Sequence, residues 1–146
     1  MKHIFSLSIF ITTIFFGSCA DEETQTTSIP YAAVKIDIQT QIEHDFNNPY
    51  FYKIYKDVGV SGYAGVIAIS NSDASAIHAF DLCCPHEAPN KNVVTVKENS
   101  LEVECPKCKS VYYIADGTGR VVSGVSTERL KSYRIIRDGY YYRIRN

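Results

Sequence analysis

The chain has 146 residues, with 15 Lys and Arg against 16 Asp and Glu and a formal net charge of -1. That length holds one domain and excludes a large catalytic unit, and the charge balance lacks the basic excess of a nucleic-acid binder. Hydrophobic residues make up 45% and charged residues 21%, too apolar for a disordered chain, and 11 Tyr and 7 Phe with no Trp favour strands over helical bundles.

The first segment reads as an export signal. Met1-Lys2-His3 is a short basic start, followed by an apolar run from Ile4 to Phe16 and the small pair Gly17-Ser18 before Cys19. The run is shorter than the ~20 residues of a bilayer span. A Cys after two small residues resembles the lipobox of bacterial lipoproteins, which implies lipidation of Cys19, residues 1–18 as the signal peptide and attachment to a membrane of the bacterial cell envelope. The segment has no twin-Arg pair, so it resembles a general secretory signal that passes an unfolded chain. Residues 19–30 are polar and acidic without apolar periodicity and read as a flexible tether, leaving 31–146 for the folded domain.

From residue 31 the patterning is that of strands. Val34, Ile36 and Ile38 alternate with Ala33, Lys35 and Asp37. Gln41 to Tyr55 could hold one short helix. Gly65 to Ile69 is an apolar run ended by Asn71-Ser72-Asp73, and Ser75 to Leu82 returns as its hairpin partner. Val94 and Val96 lead into Glu98-Asn99-Ser100, and Leu101, Val103 and Cys105 lead out of it. Val111 to Ile114 is stopped by Asp116-Gly117-Thr118-Gly119, and Asp138-Gly139 reads as a two-residue hairpin turn between Tyr133–Ile135 and Tyr140–Ile144. Many short strands with closely spaced turn signals predict an all-β fold, a sandwich or small barrel. His78 within a strand pattern and His44 in a polar stretch read as structural and solvent-facing.

Two short loops carry the chemistry. Cys83-Cys84-Pro85-His86 follows one predicted strand and Cys105-Pro106-Lys107-Cys108 follows another. Two loops stiffened by proline can present soft ligands to one centre, and thiolates with imidazole suit zinc or iron–sulfur iron. Export into an oxidising compartment supports disulfides as the other outcome, with Cys83 or Cys84 bridging to the second loop.

Phe80-Asp81-x-Cys-Cys84-Pro-His86, then Cys105-Pro-x-Cys108-x-Ser110-x-Tyr112 and Asp116-Gly-Thr-Gly119, together resemble the Rieske domain. Gly124, Leu130 and Tyr133 follow that family's closing pattern. The resemblance covers residues 32 to 146 and implies three antiparallel sheets with a loop subdomain that binds a [2Fe-2S] cluster. It assigns Cys84 and Cys105 to the inner iron, His86 to the outer iron, and Ser110 and Tyr112 to hydrogen bonds with cluster sulfurs. Cys108 stands where the family has its second histidine, Lys109 and Val125 where it has Gly and Pro, and Tyr113 where it has Asp. The ligand set becomes three Cys and one His. Glycine at position 109 would serve close backbone approach. Cys83, next to Cys84 on an extended segment, reads as a buried thiol facing the other way.

The expectation is a membrane-tethered carrier of single electrons, serving a redox protein partner and lacking an oxygenase catalytic domain. The alternatives are a structural Cys3His zinc site and a metal-free, disulfide-bearing Rieske fold acting as an interaction module. The missing twin-Arg pair favours them, because clusters are normally inserted before a folded chain is exported.

Overall fold

The computed structural model describes residues 26–146; the segment read as an export signal and Cys19, the expected lipidation site, lie outside the described residues. Ten strands form three antiparallel sheets, with two short 3-10 helices and no α-helix among the described residues. The first sheet joins β1 (Lys35–Gln39), β10 (Tyr141–Arg145) and β9 (Arg134–Asp138) in that order. The second joins β2 (Tyr52–Tyr55), β3 (Val66–Ser70) and β4 (Ile77–Asp81). The third joins β5 (Thr95–Val96), β6 (Glu102–Glu104), β7 (Val111–Tyr113) and β8 (Val121–Ser123). The all-β class of antiparallel sheets expected from the sequence is the one observed.

The second sheet is the middle layer. Every residue of β3 is buried, because its two faces feed two different cores. Val66 and Ala68 join Ile36, Ile38, Phe46, Tyr142 and Ile144 under the first sheet. Ile67 and Ile69 join Phe80, Leu82, Val103, Tyr112 and Leu130 under the third. A strand covered on both sides reads as an uninterrupted apolar run rather than an alternation, which is the character of Gly65 to Ile69. In β1, with one face in water, Ile36 and Ile38 are buried while Lys35 and Asp37 are exposed.

Two local expectations need correction. The proposed helix between Gln41 and Tyr55 is a 3-10 helix at His44–Asn47 followed by strand β2. Pro49 ends helical continuation, and Phe46 anchors the turn by burial and an edge contact with Phe51 at 5.0 Å. The last hairpin turns one residue later than read, because Asp138 pairs with Tyr141 and leaves Gly139-Tyr140 as the turn. Gly139 has φ 57 at the first turn position, where a type II′ turn requires a residue free of Cβ. Strands β2 and β8 escaped the pattern, since both are exposed edges with little buried apolar content to mark them.

At the junction of the sheets lies a carboxylate removed from water. Asp81, at the end of β4, is fully buried and accepts hydrogen bonds from Tyr63 N (2.7 Å), Ala64 N (3.2 Å), Cys83 N (2.8 Å) and Tyr133 Oη (2.6 Å). Burial and this carboxylate push the Tyr133 phenol above its ordinary pKa, so it stays a donor. The N-terminal approach to the domain packs nearby: Ile29 is buried against Cys83 and Ala88, and Ser28 N donates to Glu128 at 2.8 Å.

Asp81→Asn turns one acceptor into a donor facing donors, and we expect it to lower the unfolding free energy by about 3 kcal/mol. Tyr133→Phe, which removes one donor of four, should cost about half as much. Denaturant melts measure both, and an Asp81→Asn loss below about 0.5 kcal/mol, the size of an ordinary surface change, would contradict this account.

Candidate metal centre

Both candidate loops hang from strands whose register is fixed by burial. Beyond β4 the chain runs extended through Cys83 and Cys84 and then turns into a 3-10 helix at Pro85–Asn90, with Pro85 in its first turn. Cys83 bridges to Val93, Cys84 N donates to Asn92 O at 2.9 Å, and Glu87 N donates to Cys84 O at 3.1 Å. The second loop is the tip of the β6–β7 hairpin. There Cys105 N donates to Ser110 O at 2.9 Å and Lys109 N donates to Cys105 O at 3.0 Å, closing a tight knuckle around Cys108.

Packing of the second sheet against the third brings the two tips together. The Sγ atoms of Cys84, Cys105 and Cys108 all lie within 4.8 Å of one another, and those of Cys84 and Cys108 are 3.6 Å apart. Cys84 and Cys105 are fully buried, while Cys108 is partly exposed. All three are free thiols. The two predicted hydroxyls sit on the sulfurs: Tyr112 Oη is 3.2 Å from Cys84 Sγ, and Ser110 Oγ is 3.3 Å from Cys108 Sγ.

Of the predicted site residues, His86 stands apart. It is exposed on the 3-10 helix, two residues after Cys84, and its imidazole lies outside the group of mutually close sulfurs. Cys83 is fully buried but joins the small cluster of Ile29 and Ala88 rather than the core of Cys84. His78 on β4 packs against Gly117 of the Asp116–Gly119 turn, and burial lowers its pKa.

The thiols differ electrostatically. Burial pushes Cys84 up to about 12, more than the Tyr112 hydroxyl can offset. At Cys108 desolvation is the largest single influence and raises the pKa, but hydrogen bonds with the Ser110 side chain and backbone, Cys105 and Cys84 together outweigh it, and the pKa falls below the ordinary value. Cys83 is pushed up to about 12 by burial and then by Asp81. Thus partly exposed Cys108 ionises more readily than buried Cys84.

Supporting residues explain the closing pattern. Ser110 is fully buried and its Oγ accepts from Ser126 N at 3.0 Å, which ties the third segment to the knuckle. Gly124 has φ 103, and a Cβ there would lie 2.4 Å from Ser110 Cα, so only glycine lets this segment approach. Asp81, which accepts the N–H of Cys83 beside Cys84, is a functional residue whose one sequence signal is a lone acidic side chain closing an apolar strand. Lys109 corrects the reading of its position. It has φ 60 and a side chain 71% exposed, so the position calls for a left-handed backbone and not for close approach.

The donor set fits a metal centre: three sulfurs that can ionise, hydroxyls able to hydrogen-bond to sulfur, and an imidazole on the adjoining turn. Sulfurs in mutual contact also match one tetrahedral ion, since Zn–S bonds of ~2.3 Å place sulfurs roughly 3.8 Å apart.

No protein-family model matches the chain, and no curated protein matches it. Solved structures do match. The ferredoxin–oxygenase complex of carbazole 1,9a-dioxygenase aligns with TM-score 0.50 at 15% identity, covering 77% of this chain and 92% of that chain. The ferredoxin of carbazole 1,9a-dioxygenase from Nocardioides aromaticivorans IC177 gives 0.47 at 17% identity, over 77% and 96%. A ferredoxin from Sphingomonas yanoikuyae B1 gives 0.48 at 14%, over 68% and 88%. The fold is Rieske-like.

Because Lys109 holds a left-handed conformation that glycine adopts freely, Lys109→Gly should raise the unfolding free energy of the metal-free protein by about 1 kcal/mol. A denaturant melt showing no gain, or a loss, would mean that the Glu104 contact at 3.6 Å or chain entropy outweighs the strain.

Proposed function

We propose that the chain is an iron–sulfur electron carrier whose [2Fe-2S] cluster is held by Cys84, Cys105, Cys108 and His86. The observation that carries this reading is the meeting of three thiols from two loops of a Rieske-like fold, with the hydroxyls of Tyr112 and Ser110 on two of them. Bound there, the cluster would take up and release one electron at a time. The residues would supply the rest. Cys84 and Cys105 are buried deeply enough to exclude water from one side, while partly exposed Cys108 and exposed His86 mark the side open to a partner. The partner would be a redox protein; one structure that shares the fold is a ferredoxin in complex with an oxygenase.

A second reading is a structural zinc site, favoured by the 3.6 Å contact between Cys84 and Cys108. The two separate on chemistry. Protein isolated anaerobically from its host should be coloured, carry iron and acid-labile sulfide in equal amounts, and give an EPR signal on reduction. Cys108→Ala should lower bound iron at least tenfold while Cys83→Ser leaves it unchanged. Three thiolates and one neutral imidazole give the oxidised centre a charge between those of the all-Cys and the two-His types. Its potential should therefore fall between about −400 mV and the −150 to +300 mV range of those classes. A colourless protein with one zinc per chain would overturn the electron-carrier reading and support the second.

The carrier is further proposed to be held at a membrane of the bacterial cell envelope by lipid on Cys19. Mass spectrometry of the membrane fraction should find an acylated N-terminal Cys19, and Cys19→Ala should move the protein into the soluble fraction. A water-soluble mature chain beginning at Ala20 or later would refute the anchor.

A further inference from the structure

Cys84 and Cys108 come from different loops, yet their sulfurs are in contact at 3.6 Å while both thiols are free. A disulfide needs about 2.05 Å, so the pair must close by roughly 1.6 Å, a movement within reach of a side-chain rotation at the exposed tip. The two differ in access. Cys84 and Cys105 have no exposed surface, whereas Cys108 is partly exposed beside exposed Lys107 and Lys109. A dissolved disulfide therefore meets Cys108 first. Cys105 Sγ lies within 4.8 Å of the other two sulfurs, but the sulfur in contact with Cys108 Sγ at 3.6 Å is that of Cys84. Cys83 packs into another cluster, away from the group.

We propose that Cys84 and Cys108 form a reversible disulfide that locks the metal centre, with Cys108 as the entry thiol and Cys84 as the resolving thiol. The oxidant is a disulfide, small or protein-borne. Sulfur of Cys108 attacks one sulfur of it, the oxidant's S–S bond breaks, and one half leaves as a thiol with the proton that Cys108 gives up. Sulfur of Cys84 then attacks Cys108 Sγ in the mixed disulfide, forming the Cys84–Cys108 bond and expelling the second half with the proton from Cys84. Two electrons pass from the pair to the oxidant, and a dithiol reverses both steps. The bridge consumes two of the three clustered thiols, so disulfide and metal exclude each other. It also ties two loops across a 24-residue separation, holding the ligand-bearing tips in place while no metal is bound.

The test uses the full chain freed of metal, exposed to oxidised glutathione, alkylated and mapped by mass spectrometry without reduction. The expected product is a peptide pair joining Cys84 to Cys108, with Cys83 and Cys105 alkylated. Zinc uptake should fall at least tenfold on oxidation and return with dithiothreitol. In Cys84→Ser, glutathione should remain attached to Cys108, since nothing resolves it, while Cys83→Ser should behave as the parent chain. A Cys105–Cys108 bridge, a bridge through Cys83, or unbridged thiols throughout would each overturn the proposal. The mapping is read on metal-free protein, so its result does not depend on whether the native centre holds iron or zinc.

Discussion

A buried carboxylate with four donors is the constraint on which the cluster of three cysteines depends. Asp81 accepts backbone N–H groups from the Tyr63–Ala64 turn and from Cys83, and the phenol of Tyr133 from the segment entering the last hairpin. A charge out of water is tolerable only when its lone pairs are filled, so the segments bearing these donors are held together wherever Asp81 goes. The position of β4 is in turn fixed by its pairing with β3, from Val66 opposite Asp81 to Ser70 opposite Ile77. Three residues beyond Asp81, Cys84 inherits that position. The first ligand loop is thereby anchored by a polar contact that simple hydrophobic burial could not direct.

The second loop is positioned differently. Cys105 sits at the end of β6, and the β6–β7 register, with Val103 opposite Tyr112, carries both the thiol and the hydroxyl toward the same core. Ser110 adds the third side of the frame by accepting from Ser126 N, an approach possible only because Gly124 has no side chain. Two rigid tips from two sheets meeting across one apolar core leave the sulfurs little freedom. Proximity without metal has a chemical consequence: thiols held in contact are ligands when an ion is present and redox partners when it is absent. Metal loading and thiol oxidation then draw on the same two sulfurs.

Much of this was legible in the residues. The apolar run ending at Ile69, the alternation from Val34 to Ile38 and the turn signals between strands are consequences of which faces meet water, and they identify the fold class. Two exposed edge strands, Tyr52–Tyr55 and Val121–Ser123, were not legible. The edge strand Tyr52–Tyr55 is mostly exposed and offers no buried stripe, so only its hydrogen bonds to the central sheet define it. The helix read before it yielded to one buried phenylalanine and a proline. At Lys109 the residue type pointed to a lost close approach, whereas the backbone angle is what the position demands.

The sequence by itself determined the strand-rich class and the two cysteine loops, because apolar spacing along a strand dictates which side chains share a face. The hydroxyls two and four residues after Cys108 were legible only through the resemblance to the Rieske domain. The resemblance chose Cys84 over Cys83, but the contacts that separate the two belong to the tertiary structure. Cys83 and Cys84 are adjacent and chemically identical, and only the packing of two sheets sends one among Ile29 and Ala88 and the other against Tyr112 and Cys108. Nor could the sequence show His86 exposed and apart from the three sulfurs, or Asp81 as the anchor of the loop. Contacts between residues far apart in sequence depend on how whole sheets stack, and that stacking exists only once the chain has folded.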